Sequence, residues 1–458
     1  MAIAERVVVV GAGLSGLACA YRLERAGIPA IVLERGDAPG GRAQTERRSG
    51  YVIDTGPDAM TSGYTHYVSL LEELGLGDRV VPCSPVMGLV RDRKLHELTL
   101  DRKAKLAFTR ALSLPAKLRL ALGYLGVRRL VGDVDPYEMV KASELDDPDQ
   151  SAYEFGRERF GREVADYLVD PAMRLVTTIS AREASIVNLL GAIKGWMAPL
   201  INVVGGMDLL PRTLAERVDV RYGVEVSAVR ERAAGVRVTY RDPTGGVNAI
   251  ETGGCVITAM YGDAVAVWPP LAHAAPTFGH QLRYARLIGI TLGYSVPTRT
   301  EAYVVQVPTI ESREGLLMLM QHNKAPDRAP SGHSLITVYT DTPATERWLD
   351  RSDEQLEDWA AGLVESWCPE LRGGRDMAVV SRWPRTAYLP EPGYWRRTAA
   401  LIEALPRGGR VQIAGDLFNG SSMESAIRWG ERASARVAER LYRGQGRPVS
   451  SAQIPLVK

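Results

Sequence analysis

Glycines at positions 11, 13 and 16 and an acid at position 34 are the residues whose types and spacing point most directly to chemistry. In a turn between a strand and a helix, Gly11 permits the tight bend, Gly13 lets a pyrophosphate approach the backbone, and Gly16 lets the helix pack close to the strand. The helix start then offers unpaired amides and a positive dipole end to phosphate oxygens. Glu34 follows Gly16 by eighteen residues, the distance at which a carboxylate accepts hydrogen bonds from both hydroxyls of an adenosine ribose. A 2′-phosphate would be repelled there, which disfavours an NADP-type adenosine.

The flanking residues supply the elements that must hold this turn. "VVVV" (Val7 to Val10) reads as a strand, an amphipathic segment follows, and a second apolar run closes on Glu34. The chain continues as "ERGDAPGGRAQTERRSGYVIDTGPDAM", bringing Gly40, Gly41 and Arg42 and then a short strand ending in Asp54-Thr55-Gly56-Pro57. Here the sequence resembles the FAD-dependent family that includes protoporphyrinogen oxidase, phytoene desaturase and the flavin amine oxidases. In that family the acid, the paired glycines and the arginine form one loop around the adenosine and pyrophosphate, and the Gly-Pro lies beside the flavin ring. The resemblance implies FAD rather than NAD.

The C-terminal stretch "RVQIAGDLFNGSSMESAIRWGERASARVAERL" reads as a strand (Val411 to Ala414), a Gly-Asp turn, a small-residue loop and a long helix starting near Ser422. It is similar to the same family. The likeness implies that Gly415 and Asp416 lie near the ribityl and pyrophosphate groups and that the backbone amide of Met423 meets the pyrimidine edge of the flavin. A helix N-terminus would stabilise the negative charge that reduced flavin gathers there. The pattern's usual glycines are replaced by Ser425 and Trp429. In "VEVSAV", Val226 matches the strand valine that family members place under the adenine. "FGRERFGREVADYLVDPAMRLVTTISAREASI" and "RWPRTAYLPEPGYWRRTAALIEAL" resemble protoporphyrinogen oxidase-like members most, although Tyr388, Pro390 and Tyr394 are spread where the family keeps a proline and an aromatic residue together.

The chemistry implied is removal of two electrons and hydrogen from an apolar organic substrate, forming a C=C bond by hydride transfer to flavin N5. Flavin amine oxidases carry a lysine in the strand matched by "RLIGITLGY"; this stretch has none, which weakens the alternative of C–N oxidation. A non-catalytic flavin-binding redox or assembly partner is the second alternative. Hydride transfer needs chiefly alignment of a C–H bond over the ring, so the sequence names no catalytic residue. Tyr394, Phe418 and Asn419 are candidates for the substrate wall. With no cysteine near the C-terminal motif, noncovalent FAD is expected.

Length and composition frame these motifs. A chain of 458 residues suits two domains. The expected fold is α/β: a Rossmann-type FAD-binding domain formed from 1–95, 201–265 and 385–445, with a discontinuous α+β substrate domain of 96–200 and 266–384. The latter combines a helical insertion with a mixed sheet that includes "ARLIGITLGYSV" and "HSLITVYTD". A formal net charge of +2 argues neither for a nucleic-acid binder nor for an acidic substrate, and no nucleic-acid partner is expected. Cys19, Cys83, Cys255 and Cys368 form no CxxC pair, so reduced thiols, a cytoplasmic setting and no metal site are expected. The six histidines have no metal-ligand spacing. Neither a signal peptide nor a transmembrane run is read from the chain. Residues 101 to 130 hold eight Lys or Arg against one acid, with apolar residues between them. Such a surface lies on an anionic membrane or is a solvated helix face. A small-molecule substrate is the expected partner, and the oligomeric state is left open.

Overall fold

The computed structural model describes residues 6–99, 109–312, 316–418, 420 and 422–444. Its first sheet has five parallel strands in the order Asp219–Arg221, Ala30–Leu33, Val7–Val10, Gly254–Ile257, Val411–Ile413. The three central strands are buried at every residue. This is why they read as unbroken apolar runs rather than alternating ones: helices cover both faces of a parallel sheet. Three separate stretches of the chain, beginning at Val7, Gly254 and Val411, thus supply neighbouring strands of this sheet.

Two helices cross over the sheet. Leu14–Arg25 joins the first two strands of the chain, and Met423–Gly444 closes the fold. Their backbones touch: a Cβ on Gly430 would lie 2.1 Å from the carbonyl oxygen of Ser15, and one on Gly16 would lie 2.0 Å from that of Gly11. Arg22 ties the crossing together, donating to Glu431 at 2.8 Å and to Glu73 at 2.6 Å.

The second sheet has seven strands, ordered Arg375–Trp383, Leu287–Tyr294, Ser334–Thr340, Leu316–Met320, Val304–Val307, Val86–Arg91, Lys94–Thr99. One face is packed by the helices Thr342–Trp348 and Asp353–Trp367 through Ile288, Ile290, Leu292, Leu356 and Val364. Strand alternation sends Gly289, Thr291 and Gly293 to the other face. The placement of 86–99 differs from the sequence-based boundary at 95. Val304–Val307 pairs in parallel with Val86–Arg91, so this hairpin belongs to the second sheet. A short alternating hairpin carries no mark of which sheet edge it will join.

The helical insertion includes Leu114–Asp133, Ala152–Phe160, Asp170–Thr177 and Ile186–Gly195. Local signals start these helices. The Ser113 hydroxyl accepts from the Ala116 N–H, and Ser151 with Glu154 forms a capping box. Among the described residues no helix is long and apolar enough to cross a membrane.

Gly430 and Gly362 separate close approach from helix propensity. Gly430→Ala is expected to destabilise the fold by about 1–3 kcal/mol through overpacking. A Cβ on Gly362, in the Asp353–Trp367 helix, meets nothing within 4 Å, so Gly362→Ala should stabilise by about 0.4–1 kcal/mol. Urea midpoints at constant slope give both values, and a Gly430→Ala protein as stable as the parent would contradict the crossing.

Candidate functional site

The glycine turn after the first strand and the turn after the second meet. Gly13 and Gly40 form an isolated parallel bridge, and the Gly40 N–H donates to the Ala12 carbonyl at 2.8 Å. Gly11 and Gly40 have φ of +101° and +106°. Beside them the backbone is open. A Cβ on Gly13 would meet nothing within 4 Å, and one on Gly41 only the Gly13 Cα at 3.5 Å. The Leu14–Arg25 helix starts at this opening without a side-chain cap. Open backbone facing an uncapped helix start is the arrangement that takes a diphosphate, so these residues fit a dinucleotide.

Glu34 stands at one end of the opening. Its Oε2 accepts from the Ala12 N–H at 2.6 Å and its Oε1 from the Gly36 N–H at 2.8 Å. The Glu34 carbonyl also accepts from the Val224 N–H at 2.8 Å. This bond draws in the Glu225–Glu231 strand with Val226, which is buried.

Arg42 stands at the other end and meets the C-terminal motif. Its Nη1 and Nη2 donate to the two carboxylate oxygens of Asp416, each at 2.8 Å, and Nη1 also donates to the Thr386 carbonyl. Burial works against the Arg42 charge, but the Asp416 carboxylate outweighs it and holds the guanidinium above its ordinary pKa. Gly56 packs beneath: a Cβ there would fall 1.8 Å from the Arg42 carbonyl oxygen, which leaves no room for any side chain before Pro57. Gly415, at φ +123°, turns the chain into Asp416. Met423 is buried at the first turn of the last helix, where the Ser422 hydroxyl accepts from the Ser425 N–H at 3.0 Å. Above the pair, the rings of Tyr284 and Tyr388 lie 5.2 Å apart. Burial, followed by the Asp416 charge, pushes the Tyr388 hydroxyl well above its ordinary pKa.

Residues 54–58 connect this region to the second sheet through a buried charge network that the sequence reading missed. Lys324 is fully buried; its Nζ donates to Asp54 Oδ2 at 2.7 Å and to Asp58 Oδ1. Arg328, equally buried, lies 3.1 Å from Asp54 Oδ2 and donates to Asn202 Oδ1 and the Val203 carbonyl, both at 2.9 Å. Burial would raise the Asp54 carboxyl, but Lys324 and Arg328 together hold it below its ordinary value. Asp58 Oδ2 accepts from Gln321 Nε2 at 2.6 Å and from the Tyr339 hydroxyl at 2.9 Å. The Asp58 carbonyl accepts from Asn202 Nδ2 at 2.9 Å and from the Tyr303 hydroxyl at 3.2 Å. Trp383 Nε1 donates to the Thr55 carbonyl at 2.6 Å. Gly289, in the strand that lacks a lysine, makes room for Tyr339: a Cβ there would lie 2.9 Å from the Tyr339 Cε1.

Two of the three residues expected in the substrate wall are buried. Phe418 is buried against Trp429, with ring centroids 4.5 Å apart. Tyr394 is buried too; its hydroxyl donates to the Leu417 carbonyl at 2.8 Å. Both sit inside the packed core because the Tyr394–Ala404 helix and the final helix close over the Asp416 turn. The fully buried Asp146 caps the former helix, accepting from the Trp395 N–H at 2.6 Å and the Gly393 N–H at 3.1 Å. Asn419 lies outside the described residues.

Residues 14–438 match the family described as flavin containing amine oxidoreductase. The coproporphyrinogen III oxidase of Bacillus subtilis (strain 168) is 23% identical over 94% of this chain and 97% of its own length. The phytoene dehydrogenase of Streptomyces griseus is 30% identical over 51% of this chain and 50% of its own. Among solved structures, cyclohexylamine oxidase from Brevibacterium oxydans IH-35A superposes with a TM-score of 0.76 at 18% identity, covering 96% of this chain and 99% of that one. The protein is an enzyme, an FAD-dependent oxidoreductase acting on a small molecule. Because that family's model matches residues 14–438, nearly the whole chain, the chain belongs to the flavin-containing amine oxidoreductase family.

Proposed function

We propose that the enzyme dehydrogenates a substrate of porphyrinogen or polyene type, removing hydrogen to form double bonds in a macrocycle or a chain, rather than oxidising an amine. The observation that carries this reading is the match along nearly the full length of both chains to a coproporphyrinogen III oxidase. The lysine-free strand Leu287–Tyr294 supports it. Bound FAD would supply a two-electron acceptor at N5. On this reading the open sides of Gly13 and Gly41, with the turns made at Gly11 and Gly40 and the helix start that Gly16 allows, hold the pyrophosphate. Glu34 and Val226 flank the adenosine. Arg42, Gly415 and Asp416 meet the ribityl and phosphate groups, Gly56 and Pro57 lie beside the ring, and the Met423 amide faces its pyrimidine edge. Residues 1–85, 201–265 and 385–445 form the cofactor-binding unit, and 86–200 and 266–384 the substrate unit. The FAD is noncovalent: the four cysteines are buried and free.

Anaerobic titration with coproporphyrinogen, protoporphyrinogen, a polyene such as phytoene, and a panel of primary and secondary amines tests the proposal. Bleaching of the flavin bands by a porphyrinogen or the polyene, with no response to amines, is the expected result. Bleaching by an amine with release of ammonia or an aldehyde would overturn it in favour of C–N oxidation. Flavin that responds to no compound would favour a non-catalytic binding role.

The basic stretch read at 101–130 continues this proposal. Residues 101–108 lie outside the described residues, but the Leu114–Asp133 helix presents Leu114, Leu118, Leu122 and Leu125 to solvent at 78%, 61%, 60% and 56% exposure. Spacings of four, four and three put these leucines on one helix face, and Arg119, Arg128 and Arg129 lie on the same helix. An apolar stripe carried with arginines suits a bilayer with anionic headgroups, and a lipophilic substrate would be drawn from such a surface. Co-sedimentation with phosphatidylglycerol-containing liposomes should be seen at low salt, weaken as salt rises, and fall for Leu118→Glu/Leu122→Glu. Binding that is absent or indifferent to salt would contradict a membrane contact.

A further inference from the structure

The geometry points to Asp58 and Lys324 as a balanced buried charge pair that sets the reduction potential of the bound flavin; this rests on the reading that Gly56 and Pro57 lie beside the ring. Asp58 directly follows Pro57, and its carboxylate has no freedom to swing away. Oδ1 is held by Lys324, Oδ2 by Gln321 and Tyr339, and its own carbonyl by Asn202 and Tyr303. Lys324, Arg328, Asp54, Tyr303 and Gln321 are at most 2% exposed, so the field of these charges is little screened by water. The buried charges of Asp54 and Asp58 balance those of Lys324 and Arg328, with Asp327 at the solvent-reached edge 3.1 Å from Arg328.

Apolar residues of similar volume would join the two sheets without the desolvation penalty of four buried ions. What they would not do is fix charges of both signs next to the Gly56–Pro57 turn. Electron uptake by a flavin places negative charge on it, so a nearby carboxylate opposes reduction and a nearby ammonium assists it. Deleting either member of the pair therefore moves the potential, and the two deletions move it in opposite directions. Asp58 and Lys324 are positioning and tuning residues in this account, since no contact of theirs with substrate is invoked.

The test is a dye-coupled spectroscopic measurement of the flavin midpoint potential in the FAD-loaded enzyme. Asp58→Asn should raise the potential and Lys324→Met should lower it. The double variant Asp58→Asn/Lys324→Met should return close to the parent value, as should Tyr339→Phe, which removes a hydrogen bond but no charge. A purely structural network would change melting temperature and FAD affinity without opposite-signed shifts, and single variants whose potentials move together or stay put would overturn the inference. Where a single variant does not fold, Asp327→Asn replaces it: its carboxylate is partly solvated, and its loss should produce a smaller rise, an unchanged potential counting against the inference. A parent protein that takes up no FAD would instead defeat the cofactor-site assignment itself.

Discussion

The two-pronged pairing of Arg42 with Asp416 is the contact on which the candidate site depends. The partners are separated by 374 residues, so no local preference can bring them together. They meet because the Val411–Ile413 strand completes a parallel sheet begun by Val7–Val10, with Gly254–Ile257 between them. A planar guanidinium facing a carboxylate through two parallel hydrogen bonds is among the stronger and more directional polar contacts available, and here it also carries the Thr386 carbonyl. Removing either member would leave the other charge stranded in a partly dry site. The pair links the loop after the N-terminal glycine turns to the turn before the C-terminal helix.

Around this contact the fold solves two packing problems in different ways. Over the first sheet the solution is steric: Gly16 and Gly430 let backbones touch, so the helix starts lie low against the strand ends. Between the sheets the solution is electrostatic. Asp54 and Asp58 leave the first unit carrying negative charge, and Lys324 and Arg328 reach them from the second. The penalty of burying four charges is offset by their mutual attraction and by the amide of Gln321 and the phenol of Tyr339, which donate to Asp58. The result ties residues 54–58 to the strand face bearing Gly289 and Tyr339.

How much of this was legible in the sequence follows from how local each signal is. The turn from Val7 through Glu34 could be read because strand, glycines, helix and acid are consecutive, and their spacing mirrors their geometry. The Gly415–Asp416 turn and the final helix could be read for the same reason. Placement of the Val86–Arg91 and Lys94–Thr99 hairpin could not, since sheet membership is decided by an edge formed more than 200 residues later. Lys324 and Arg328 sit in "QHNKAPDRAP", a polar, proline-containing stretch that reads as a solvated loop; only the arrival of Asp54 and Asp58 makes it an interior. The burial of Phe418 and Tyr394 could not be read for a related reason. Aromatic side chains beside a motif face a cavity or the core depending on which helix closes over them, and the two closing helices cannot be seen from the motif alone.

The central claim is that the Arg42–Asp416 pairing shapes a cleft for FAD. Titration of flavin-stripped protein with FAD, followed by absorbance and by quenching of flavin fluorescence, tests it most directly when the parent and Asp416→Asn are compared. The account predicts saturable one-to-one binding in the parent and a dissociation constant raised about tenfold or more in the variant, as loss of a charged hydrogen-bonded pair implies. A parent protein that binds no FAD, or a variant that binds it as tightly as the parent, would contradict the account.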